Sequence, residues 1–235
     1  MKVAIITGDL IGSSKYGPGQ REAAIRTLKQ TLEEEREPET VLRYEMYRGD
    51  SAQIEVLQVE KALALAILLR AALKKLPHGP KDGNAGAGKH AGKAPAISGR
   101  SYADIRLAVG IGEAASGQAR VVEADGEAYR LSGRTLDAMK KKQQKLIIQS
   151  AEEAFNQEYE VQCKLLDVII DKWSTAAAEV VFWLLKGLKD IEIAEHLGIS
   201  QPAVSFRKKT AGWDAINLMI QGFESKIIKA GWVQV

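Results

Sequence analysis

Cysteine is almost missing from this chain. Cys163 stands alone, so no disulfide can close within it and no zinc site can be built from thiolates. A reducing, cytoplasmic setting is the expectation. Histidine is scarce as well: His78, His90 and His196 lie far apart, without metal-ligand spacing. Long apolar runs are also lacking. The first reaches Gly8-Asp9 too soon to be the core of a signal peptide. The run from Ala62 is interrupted by Arg70, well short of the roughly 18 residues that span a bilayer. No membrane association is expected. Neither sign of charge dominates: the formal balance is +3, so the positions of the charges must decide any affinity for nucleic acid.

What remains is ordinary globular material, 46% hydrophobic and 27% charged. A length of 235 residues allows one large domain or two small ones. Residues 77–101, PHGPKDGNAGAGKHAGKAPAISGRS, are rich in Gly, Ala, Pro and Lys and carry no apolar period. Such a composition buries too little to offset ordering entropy, so a mobile insertion is expected there. Within it GNAGAGKH approaches the G-x-x-x-x-G-K-[ST] phosphate loop, but His90 replaces the hydroxyl and no strand leads in. The chain divides at 152, between a mixed unit (1–152) and a helical one (153–235).

In the first unit KVAIITG reads as a buried strand, because the run is continuous and β-branched. Ala24, Ile25, Leu28 and Leu32 recur at helical spacing. VLRYEMY and SAQIEVL alternate on either side of Gly49-Asp50, a hairpin signal; this also accounts for the adhesion-like tripeptide Arg48-Gly49-Asp50. A helix over 59–76, the alternating strand DIRLAVGIGEA, a helix around 126–142 and a strand at 145–149 follow. The order β-α-β-β-α-β, with a further helix and strand, predicts an α+β fold. Its expected form is a ferredoxin-like antiparallel sheet with helices on one face.

That topology brings Asp9, just past the first strand, toward Asp50 at the hairpin. Two carboxylates with open positions suit Mg²⁺ and phosphate oxygens. A turn cap and a hairpin filler describe the same spacing.

ITGDLIGSS, RGDSAQI, RLAVGIGEA and GEAYRLSGRTLD, in that order, resemble the SatD family of bacterial proteins and, more distantly, the catalytic domain of class III nucleotidyl cyclases. The likeness covers about the first 150 residues. It implies a ferredoxin-like, cyclase-like core with Asp9 and Asp50 as metal ligands for Mg²⁺. The backbone of Ile11 and Gly12, with Ser13 and Ser14, would face a nucleotide triphosphate, and Gly110 and Gly112 would lie beneath the ligand. Arg134 matches the cyclase arginine, whereas Arg130 stands where cyclases carry an orienting Asn. That departure favours nucleotide binding over catalysis, and the resemblance also implies a homodimer. Lys140-Lys141-Lys142 end a helix, where cations complement its dipole.

LKDIEIAEHLGISQPAVSFRKKTAGWDAI is the most specific stretch. Ala194 is small where two helices would approach, Gly198 can adopt left-handed geometry, Ile199 and Val204 supply core, and Ser200 and Pro202 start a second helix. This predicts a helix-turn-helix over 189–209. The expected DNA-facing residues are Ser200, Gln201, Pro202, Ser205, Phe206, Arg207, Lys208 and Lys209, combining base readout with phosphate-neutralising charge. The stretch resembles the helix-turn-helix of sigma-factor-like and response-regulator proteins, with Arg207 where an apolar residue is usual. The function expected is DNA-binding transcription regulation under control of a nucleotide. The alternatives are a cyclase-type enzyme and a first unit that serves only dimerisation.

Overall fold

A computed structural model describes residues 2–16, 19–36, 40–47, 49–76, 103–114 and 126–233. The expected insertion at 77–101, the phosphate-loop look-alike within it, and Arg48 lie outside the described residues. Five strands are present: β1 (Lys2–Leu10), β2 (Val41–Tyr47), β3 (Ser51–Val56), β4 (Ile105–Glu113) and β5 (Leu146–Gln149). The helices are α1 (Gln20–Glu34), α2 (Ala62–Lys74), α3 (Glu127–Lys142), α4 (Glu153–Asp171), α5 (Thr175–Leu185), α6 (Asp190–Leu197), α7 (Gln201–Ala211) and α8 (Trp213–Lys229). Among the described residues no helix is long and apolar enough to cross a membrane.

The α+β class holds, and the sheet order is β2-β3-β1-β4-β5. Two details of the expectation are corrected. The sheet is mixed, because β5 runs parallel to β4 while every other pair is antiparallel. Helices also cover both faces. Parallel neighbours need a crossover, and α3 is that crossover. Along β1 the side chains alternate: Ala4 and Ile6 join the large core with α1 and α2, whereas Val3 and Ile5 meet Ala128 and Tyr129 of α3. Burial on both faces is why β1 reads as one apolar run. At Gly110 a side chain is impossible without movement, since a Cβ there would lie 2.3 Å from the Ala128 carbonyl oxygen. Gly110 and Gly112 therefore sit beneath α3, not beneath an open ligand site.

Helix α2 is buried nearly all round, as befits a helix apolar on every side. It lies between the sheet and the C-terminal helices, packing on α5 and α8 as well as on β1 and β4. The same core takes in Phe155, Tyr159, Trp173, Phe182, Phe223 and Trp232, so it runs unbroken across residue 152. Ion pairs cross that position too. Lys186 reaches Glu35 at 2.7 Å and Glu34 at 3.1 Å, and Lys61 reaches Glu224 at 2.8 Å.

Within this core sits a charge cluster that sequence spacing did not suggest. Arg70 is fully buried. Its Nε and Nη2 donate to the two Asp104 carboxylate oxygens, each at 3.0 Å, and Nη1 donates to Asp167 at 2.5 Å. Lys145 bridges Asp171 at 2.6 Å and Asp104 at 3.4 Å. Lys74 lies 3.7 Å from Asp104. Three cations face three carboxylates, and they join α2, the start of β4, the approach to β5, and α4.

Candidate functional site

The C-terminal end of β1, the hairpin tip and the entry to β4 converge at one end of the sheet. Asp9 is the penultimate residue of β1 rather than lying past it, and its register partners are Ser51 on β3 and Arg106 on β4. Tyr47 lies opposite Ser51, which completes a cross-strand row of Tyr47, Ser51, Asp9 and Arg106. The hairpin tip is fixed to β1 by the Leu10 N–H, which donates to the Asp50 carbonyl at 3.0 Å. Gly49 takes the left-handed φ of 77° that the turn requires.

The chain then turns into a short 3-10 segment, Ser13–Lys15, started by Gly12 at φ 67°. Ser13 Oγ donates to Asp50 Oδ2 at 2.6 Å. Asp9, Asp50 and Ser13 are thus gathered in one place from three segments. Ser14 is exposed beside them, and the Ile11 N–H is engaged by the Asp104 carbonyl at 2.9 Å.

Arg106 dominates the local field. Its Nη1 donates to both Asp9 oxygens at 3.1 Å, while its Nε is buried without an acceptor among the described residues. Burial pushes the Asp9 carboxyl above its ordinary value. Arg106 and Lys140 pull it back down, and the neighbouring Asp50 carboxylate pushes it up again. Lys140, at the α3 end where sequence reading favoured a dipole role over phosphate contact, is therefore close enough to act on Asp9 through its charge. Arg130 and Arg134 lie exposed on α3.

Arg106 was legible in principle. It is a charged residue in an otherwise apolar strand, and antiparallel pairing with β1 sets it beside Asp9. Among the described residues no three His, Cys, Asp or Glu side chains cluster as a metal cage. The donor set present is two carboxylates and a hydroxyl. That suits a hard cation which keeps much of its water, since each carboxylate oxygen retains a free lone pair. Such an ion would compete with Arg106 for Asp9.

At the other end of the chain, α6 and α7 are joined by Gly198, Ile199 and Ser200. Gly198 is left-handed at φ 62°, and the Ile199 N–H donates to Ala194 O at 3.0 Å. Ser200 caps α7, its Oγ accepting from the Ala203 N–H at 3.4 Å. Val180 of α5, Ile193, Ala194 and Val204 form the small core of this corner. Ser200, Gln201, Pro202, Ser205, Phe206 and Lys209 are exposed, Phe206 by 67%.

The other two basic residues are engaged within the chain. Arg207 reaches Glu179 at 3.3 Å, which explains a charge at a position usually apolar. Lys208 holds Asp190 at 2.8 Å. The chain matches no known protein-family model and no curated protein.

Proposed function

We propose that this chain is a DNA-binding transcription regulator whose sheet unit takes up a nucleotide together with Mg²⁺. The observation that supports the DNA reading is the corner α6–Gly198–Ile199–Ser200–α7, two short helices joined over a three-residue turn with a left-handed glycine. Its second helix presents Ser200, Gln201, Pro202, Ser205, Phe206 and Lys209 to solvent. Gln201 suits the paired donor and acceptor of adenine, Phe206 suits a thymine methyl, and Lys209 suits phosphate. Arg207 and Lys208 contribute positive potential while bracing α7 against α5 and α6.

Fluorescence anisotropy on genomic fragments is the test. Lys209→Ala should weaken binding to all sequences and flatten the slope of log affinity against log salt by about one. Gln201→Ala should change sequence preference, costing about 1–3 kcal/mol on the best site. Absence of binding to any fragment at low salt would end this reading.

The first four strands, in the order β2-β3-β1-β4 with α1 and α2 on one face, support a ferredoxin-like reading and with it the cyclase and SatD resemblance. Asp9 and Asp50 would hold Mg²⁺, which would neutralise phosphate charge. Gly12, Ser13 and Ser14, which follow β1 beside Asp50, would face the phosphates with Lys140, and Arg130 and Arg134 would offer further cations on the outer side of α3. Calorimetry with ATP and GTP, with and without Mg²⁺, should give metal-dependent heat that Asp9→Asn combined with Asp50→Asn abolishes. Unchanged metal-dependent binding in that variant would remove the site. Release of pyrophosphate or a cyclic nucleotide would move the reading from sensor to enzyme.

A further inference from the structure

Helix α4 buries one side against β5 and the C-terminal aromatic residues and leaves the other without cover among the described residues. On the open side Val161 is 62% exposed, Leu165 62% and Val168 52%. The three fall at i, i+4 and i+7, so they form a single apolar stripe. Scattered exposed apolar residues need no explanation, but three in register on one helix face do.

The ends of the stripe carry charge of opposite sign. Glu158 lies two turns before Leu165 and Lys172 two turns after it, both on the stripe's side of the helix. Glu158 keeps its side chain 43% exposed even while paired with Lys226 of α8, and Lys172 is exposed at the end of α4.

We infer that this stripe is the contact through which two copies of the chain pair, α4 crossing an antiparallel α4 at Leu165. A two-fold axis at Leu165 sets it against its own counterpart. The same axis brings Val161 to the partner's Val168 and Glu158 to the partner's Lys172, twice over. A parallel arrangement would instead set Glu158 against the partner's Glu158 and Lys172 against the partner's Lys172. The sequence of the stripe, acidic–apolar–apolar–apolar–basic, is complementary to itself reversed. An unrelated protein would have no reason to impose that symmetry on it. The contact uses residues separate from the nucleotide and DNA sites, and it stands apart from those readings because oligomeric state is measured with neither ligand present.

Sedimentation of the full chain should give a dimer whose dissociation constant rises at least roughly a hundredfold in Leu165→Glu. Because Leu165 is largely exposed, circular dichroism of that variant should match the parent. Glu158→Lys and Lys172→Glu should each weaken the dimer roughly tenfold, and combining them in one chain should restore it. A parent chain that stays monomeric to its solubility limit would overturn the inference. So would a dimer that survives Leu165→Glu, or charge reversals that fail to compensate each other.

Discussion

Arg70→Met is expected to destabilise the protein by about 3–5 kcal/mol, read as a fall in the urea midpoint at unchanged slope. The loss comes less from the missing attraction than from what is left behind. Asp104, buried and gripped at 3.0 Å through both oxygens, would keep its negative charge with only Lys74 and Lys145 nearby. Arg70→Met together with Asp104→Asn should recover part of the loss, because the Asp104 charge is removed with its partner, while Asp167 still loses the Arg70 Nη1 donor.

The same cluster sets an acid limit. Burial disfavours the Asp104 carboxylate, yet Arg70, helped by Lys74 and Lys145, overrides burial and holds its pKa at about 2 instead of 3.8. A carboxyl depressed in the folded state contributes stability that is complete above its unfolded pKa and fades as pH falls through the folded one. About 2 kcal/mol should therefore disappear between roughly pH 4 and pH 2. Asp167 is driven the other way, since burial lifts its carboxyl against Arg70 and the Lys145 N–H. It offsets part of the loss, but Asp104 governs because protonating it breaks the two-pronged pair. In Arg70→Met this acid step should shrink.

Trp173→Ala should cost a similar amount, about 3–5 kcal/mol, by the same midpoint measurement. Trp173 is 1% exposed and sits in the core between α4 and α5. Its indole Nε1 donates to the Ala211 carbonyl, the last residue of α7, at 2.9 Å. Truncation opens a large cavity and removes the donor that satisfies the Ala211 carbonyl at the end of α7. Trp173→Phe keeps most of the bulk and loses only the hydrogen bond, so about 1 kcal/mol is expected. Hydrogen exchange should show the extra opening at the C-terminal turn of α7, and on the DNA-binding proposal Trp173→Ala should weaken that binding without touching Gln201.

The features legible in the sequence were those encoded within a few residues. The β1 run, the Gly49 turn, the Gly198 bend and the Ser200 cap each depend on local backbone geometry. Pairings set by folding were not legible. No spacing rule ties Arg207 to Glu179 or Lys208 to Asp190, because the partners come from other elements, whereas Arg106 beside Asp9 follows once β4 is paired antiparallel with β1. Arg70 reads as the charge that breaks an apolar helix, yet it is the most buried cation among the described residues. The crossover of α3 to the second face was hidden for a related reason. A strand buried on both sides and a short apolar strand at a sheet edge have the same composition, so whether β5 joined parallel or antiparallel could not be read from it.

One consequence of the burial of α2 concerns transmission. Close-packed interiors do not absorb displacement gradually. A helix wedged between the sheet and α5 cannot shift without moving one or the other. A ligand that displaced α2 from the sheet side would displace α5 with it, and α7 packs on α5. Were the two proposed sites coupled in this way, thermodynamic reciprocity would make the effect equal in both directions. In this chain α2 is the element shared by the sheet on one side and α5 and α8 on the other.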